Sequence, residues 1–196
     1  MILEHQPRLG DLASVSRVTE ASEDLALPIA LAEVAQVGFE WEWDEETDEA
    51  RGCDFEPYQR FEAPEKTAWW FRLWTGNEEA DGSEFRFFGA TGAGDYAGFW
   101  LVRPGAPITE QPVIYLGSEG ERGVIARDLG ELLWLFAAGF GPLEAFTDPD
   151  GKAEPNEAFQ AIAERHAPGR RRSATEIVAA RTEFPNFSEF IDAMCR

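Results

Sequence analysis

Four short apolar runs, set close together, constrain the fold of this chain most. They lie between residues 84 and 127: "EFRFFG", "AGFWLVR", "PVIYL" and "RGVIAR". The corners between them, "ATGAGDY", "PGAPITEQ" and "GSEGE", are rich in glycine or proline. Connections this short join antiparallel neighbours, because parallel pairing needs a crossover of about a dozen residues. The spacing predicts strands over Glu84–Gly89, Ala97–Arg103, Pro112–Leu116 and Arg122–Arg127, in a meander. "GFWLV" and "PVIYL" are apolar on both faces, which places them centrally with a layer packed on at least one side.

Helices are predicted on either side of this meander. "PEKTAWWFRLWTG" has Pro64 for its first turn and Gly76 for its stop. Trp70, Leu73 and Trp74 share one face, with Lys66 four residues before Trp70. Either Trp69 or Phe71 then points outward, where it would form a hot spot for a partner. After the meander, Asp128 and Glu131 form a D-x-x-E capping pattern, Leu129, Leu132, Leu133 and Phe136 line one face, and Gly139 closes the helix. Helices are also expected from Pro28 to about Gln36 and, near the start, from Asp11 to Ala21. "FTDPDGKAEPN", residues 146–156, reads as a linker into a helical tail. There Ser173 with Glu176, and Asn186 with Glu189, are further capping patterns. Phe187, Phe190, Ile191 and Met194 recur at helical spacing in the same tail. The fold class is therefore α+β: a mainly antiparallel sheet flanked by helices over 1–146, and a helical extension over 147–196 packed on the same domain. A chain of 196 residues with 15 Phe and 7 Trp can bury the core that this requires.

The segment before the first long helix differs in character. In "VGFEWEWD", Val37, Phe39, Trp41 and Trp43 alternate with Gly38, Glu40, Glu42 and Asp44. This period of two predicts a half-buried strand with its aromatics on one face. Acids then continue through "DEETDEARGCDFE", where self-repulsion predicts an exposed loop. Over the whole chain 37 acids oppose 17 bases, a net charge of -20. That balance opposes non-specific binding to nucleic acid or anionic membranes and favours long-range attraction to cationic partners.

Motifs for bond-making chemistry fail on inspection. The glycine-rich stretch "GATGAG" lacks the Gly-Lys-Ser/Thr ending of a phosphate-binding loop, and Asp95 and Tyr96 follow Gly94 instead. Its G-x-x-G-x-G order runs into a strand, not into the helix that supports a pyrophosphate. A hairpin turn is the expected use of these glycines. His5 and His166 are the only histidines, and neither belongs to a nucleophile or zinc-protease motif. Asp44, Glu46, Asp48 and Asp54 are carboxylate-rich but lack the EF-hand arrangement, so no metal or other cofactor is expected. "GRRR" at 169–172 could bind an anion or pair with the acidic segment. Cys53 and Cys195 form no disulfide framework or zinc spacing, which fits a reducing compartment. The first residues have no signal-peptide pattern, and "LLWLFAAGF" is too short to span a bilayer, so a cytoplasmic location is expected.

The runs "FRFFGATGAGDYAGFWLV" and "PVIYLGSEGERGVIARDLGELLWLFAAG" together resemble the SUKH superfamily, which includes fungal cell-wall-synthesis regulators and bacterial immunity proteins. The likeness covers about Glu84 to Gly139, and "TAWWFRLWTGN" upstream is similar to bacterial members. The chain departs from the pattern at its N-terminus, which lacks the usual helix leading into an Asn-Gly turn, and it adds the tail after Pro149. The resemblance implies an α+β domain without catalytic residues. It further implies neutralisation of a toxin, often a nuclease, by direct binding.

Charge and resemblance lead to one expectation: a non-catalytic, protein-binding immunity protein with a basic toxin domain as partner. The candidate contacts are Asp44, Glu45, Glu46, Asp48, Glu49, Asp54 and Glu56. A regulatory or scaffold module without a toxin partner, and a carboxylate- or metal-dependent enzyme, are the alternatives.

Overall fold

A computed structural model describes residues 25–44, 46 and 49–196, which form an α+β fold. Five strands make an antiparallel meander in the order β3-β4-β5-β6-β7: β3 (Glu56–Pro57), β4 (Phe85–Ala90), β5 (Tyr96–Trp100), β6 (Val113–Leu116) and β7 (Arg122–Ala126). The last four match the predicted runs, with no end moved by more than three residues. β5 stops earlier than predicted: Leu101 N still donates across to Glu84 O, but Val102 N turns back onto Trp100 O of its own strand. Β-bulges interrupt β4 after Phe87 and the β6–β7 ladder after Val113. The expected strand beginning at Arg122 thereby delivers both Ile125 and Ala126 to the same core.

The sheet is covered on both faces. One face carries Phe88, Ala97, Phe99, Val113, Tyr115 and Ile125. Helices α1 (Ile29–Val37), α3 (Leu129–Ala137), α4 (Pro142–Thr147), α5 (Glu157–His166) and α6 (Ala174–Val178) lie on that side. The opposite face carries Phe85, Phe87, Trp100, Ile114, Leu116 and Val124, beneath α2 (Pro64–Thr75) and α7 (Phe187–Asp192). Strands that are apolar on both faces need two such covers, because a bare apolar face would stay in contact with water.

The tail contributes to both covers. Phe159, Ile162 and Ile177 enter the first core, and Phe187 and Ile191 enter the second. Trp100 meets the rings of Phe187 and Phe190 at 4.9 and 5.2 Å between centroids. The tail end is fixed at α2, where the Arg196 amide donates to Thr75 O and Asn77 Nδ2 donates to Met194 O, each at 2.9 Å.

Local signals explain most helix ends. Asp128 accepts from the Glu131 amide at 3.0 Å, and Ser173 with Glu176 forms a full capping box. Asn186 makes no side-chain cap, so that pattern fails; Phe187 N instead donates to Phe184 O. Gly76 adopts a left-handed conformation at the end of α2. Pro28 lies just before α1, and its carbonyl accepts from Ala32 N. The helix expected at Asp11–Ala21 lies outside the described residues.

Two further sequence expectations are corrected by the structure. The segment before α2 does not form a half-buried strand followed by a loop. It forms a separate two-stranded antiparallel ribbon, β1 (Trp41–Asp44) with β2 (Glu49–Gly52). The alternating pattern instead divides by depth. Phe39 packs into the core against Phe55, Phe136 and Phe159, whereas Trp41 and Trp43 stand 51% and 49% exposed. Leu73 is the second correction. It is 68% exposed, because α2 buries Trp70 and Phe71 and leaves Leu73 on its outer flank beside Trp69.

Candidate functional site

The ribbon is built as a projection clamped at its base. Phe39 on the entering arm and Phe55 on the leaving arm meet at 5.5 Å, edge to face, and both belong to the main core. Between these anchors, Cys53 N donates to Glu40 O at 3.0 Å and closes the ribbon. Gly52 makes this closure possible. Its φ is +82°, and a Cβ there would lie 1.9 Å from Glu40 O. Beyond the clamp the register runs Trp41↔Gly52, Glu42↔Arg51, Trp43↔Ala50 and Asp44↔Glu49.

The candidate contacts fall along this ribbon and the adjoining sheet edge. Asp44 and Glu49 are register partners, Glu46 lies in the connecting turn and is exposed, and Glu45 and Asp48 lie outside the described residues. Asp54 and Glu56 belong to the strand-like segment that leaves the ribbon and follows β4. Glu56 is exposed opposite Ala90. Asp54 also has a structural duty, since both its carboxylate oxygens accept from Gly92 N, at 3.0 and 3.2 Å. The same segment continues with Tyr58 N donating to Phe88 O and Glu62 N donating to Phe87 O. The described acids therefore follow the chain from the ribbon to the sheet edge.

Two exposed features were missed by sequence periodicity. Trp41 and Trp43 read as core and are surface. No local signal separates them from Phe39, since the same alternation of aromatic and acidic residues runs through all three. The outer face of α2 presents Trp69, 65% exposed, with Leu73; the sequence offered Trp69 or Phe71 as the outward residue, and Phe71 is fully buried.

The glycine stretch is a hairpin turn. Gly94, at φ +89°, donates to Thr91 O, and Thr91 N donates to Asp95 O. Asp95 is buried and accepts from Thr91 Oγ1 at 3.0 Å and from Ser118 N at 2.8 Å, which ties this turn to the β6–β7 turn. The Gly92 amide, which a phosphate would need, is engaged by Asp54.

The basic cluster is neutralised internally, though not by the acidic segment. Arg170 pairs with Asp128 at 2.8 Å, Arg172 lies 3.8 Å from Glu131, and Arg171 stacks over Trp134 at 5.1 Å. Arg165 and His166 both approach Glu33, at 2.7 and 3.2 Å. These pairs border a groove of about 790 Å³ between α1 and the start of α3, lined by Ile29, Leu129, Leu133 and Arg170. His5 lies outside the described residues.

A buried carboxylate follows the ribbon acids along the chain. The Glu62 side chain is 1% exposed. Its Oε2 accepts from Thr67 Oγ1 at 2.8 Å and from Trp70 Nε1 at 2.7 Å. Lys66 Nζ is 2.9 Å from Oε1 as an ion pair, without an aligned hydrogen bond. Its partnership with Glu62 holds the Lys66 ammonium above the usual lysine range. Lys66 also lies 5.3 Å from the centroid of the Tyr58 ring, whose own phenol is pushed up, first by burial and then by Glu62.

Among the described residues, no group of three His, Cys, Asp or Glu side chains is placed to hold a metal ion. Among them, too, no helix is long and apolar enough to cross a membrane. No protein-family model, curated protein or solved structure matches the chain.

Proposed function

We propose that this chain is a non-catalytic binding module for a basic protein. Its resemblance to SUKH domains extends the reading to a bacterial immunity protein that neutralises a toxin in the cytoplasm by direct contact. The observation that carries the binding role is the ribbon: two half-exposed tryptophans projecting from the core within an acidic run. Aromatics left half exposed by the described part of a fold are the usual anchors of protein interfaces. Carboxylates around them would steer a cationic partner and imitate the phosphates that a nuclease binds. The proposed contacts for that partner are Asp44, Glu45, Glu46, Asp48, Glu49, Asp54 and Glu56.

A regulatory or scaffold role is the second reading, favoured by the separate exposed pair Trp69 and Leu73 on α2. Affinity capture from the source cell distinguishes the two. The unaltered protein and a Trp41→Ala/Trp43→Ala variant serve as parallel baits, with retained proteins eluted by salt and identified by mass spectrometry. The proposal expects a basic protein that the variant fails to retain. A partner retained equally by both baits, and lost instead on changing Trp69 and Leu73, supports the second reading.

A further inference from the structure

We propose that the depression beside Glu62 is a receptor for one arginine side chain of the basic partner, and that Lys66 is the chain's own occupant of that place. This rests on the binding role proposed above and adds a defined subsite to it. The depression has a volume of about 360 Å³ and is lined by Glu56, Tyr58, Glu62 and Lys66, with Arg60 also on its wall. It continues the run of acids that begins on the ribbon, because residues 54–62 follow the edge of β4.

The carboxylate is unevenly served. Glu62 Oε2 takes two aligned donors from the fold, Thr67 and Trp70. Among the described residues, Oε1 is buried without an aligned hydrogen bond, and the Lys66 ammonium lies 2.9 Å from it as an ion pair. A buried carboxylate demands a cation and aligned donors together. Lysine gives the charge as a mobile point on a flexible stem, and this one is 58% exposed. A guanidinium gives charge, a planar fork of donors and weaker hydration, so it satisfies Oε1 better. The Tyr58 ring, already facing the Lys66 ammonium, supplies the cation–π wall on which a guanidinium stacks. Nothing needs to be created for the exchange: Lys66 swings into solvent and the incoming arginine takes its place.

An occupant of this kind weakens any outside ligand in proportion to the time that it holds the place. If Lys66 vacates about a tenth of the time, the apparent affinity falls about tenfold. The test uses Nα-acetyl-arginine amide as the probe and the Trp70 indole N–H as the reporter, since that N–H donates to Glu62. Lys66→Met removes the occupant and keeps the apolar stem, and Lys66→Gln is used if the first variant does not fold. The expected result is a saturable shift of the Trp70 indole signal in the Lys66 variant, about tenfold tighter than in the unaltered protein. The neutral citrulline analogue gives no such shift, and Glu62→Gln added to the Lys66 variant abolishes the response. The inference is overturned if no saturable shift occurs, if citrulline matches arginine, or if affinity is the same with and without Lys66. The probe requires no partner, so failure here leaves the ribbon's role standing. Loss of partner binding that leaves the Trp70 response intact would count against the ribbon alone.

Discussion

At the scale of single residues, the clearest contrasts are between groups of the same type in different surroundings. Cys53 is buried, its thiol donates to Gly139 O at 3.3 Å, and burial with the nearby Glu144 charge pushes its pKa up to about 12. Cys195 is exposed. A thiol-specific reagent at neutral pH is therefore expected to modify one cysteine rapidly in the folded protein and the second only after unfolding, because the thiolate is the reacting species. Two fast equivalents would contradict the burial of Cys53. Glu144 is shifted in the same direction by burial, above its ordinary value of 4.5. The folded chain thus holds this proton more tightly than the unfolded chain does. Stability attributable to Glu144 is full below 4.5 and is lost as pH rises through the folded value. Glu144→Gln should raise the melting temperature relative to the parent at pH 7 and give no gain at pH 4. An equal gain at both values would mean that ionisation is not the cause. Neither contrast was legible in sequence, since "GCDFE" and "GPLEAF" carry no sign that Gly141 brings the two segments together.

At the scale of elements, the two aromatic groups should behave oppositely. Phe187 and Ile191 cover the sheet beside Trp100, Ile114 and Val124, and both are almost wholly buried. Phe187→Ala is expected to cost about 3–5 kcal/mol and Ile191→Ala about 2–5 kcal/mol in urea unfolding, from lost burial and the cavity left behind. Trp41→Ala/Trp43→Ala should change stability by about 0.5 kcal/mol or less, because these rings project beyond the clamp of Phe39 and Phe55. A large loss in the ribbon variant would show that the tryptophans are structural. The meander strands were readable because each is short, apolar and bounded by turn residues. α2 and α3 were readable because proline, glycine and Asp128 mark their ends. The ribbon was not, because period-two alternation reports a strand without reporting what lies against it. Phe39 meets Phe136 and Phe159, which α3 and α5 supply, whereas the next two aromatics in the same pattern stay half exposed among the described residues. Leu73 was misplaced for a related reason: a helix face defined by spacing has no fixed width, and the sheet beneath α2 accepted Trp70 and Phe71 instead. The candidate acids were legible as a cluster, but not Asp54's bond to Gly92, which depends on where the β4–β5 turn falls.

At the scale of the whole molecule, the arginines of the tail are spent on holding it to the domain. Arg165 pairs with Glu33, Arg170 with Asp128 and Arg196 with Glu79, while from the domain side Arg122 and Arg127 meet the tail's Asp192 and Glu183. The net charge of -20 is left without a matching basic patch in this cluster, while the ribbon presents acids and indoles together. That combination predicts an interface in which charge sets the encounter rate and tryptophan sets the residence time. The most direct test is the affinity of the captured basic partner, measured by titration calorimetry at several salt concentrations with the unaltered protein and with Trp41→Ala/Trp43→Ala. The account predicts that affinity falls steadily with salt for both proteins, and that the variant binds about a hundredfold or more weakly at every salt concentration. Affinity that is insensitive to salt and unchanged in the variant would contradict it.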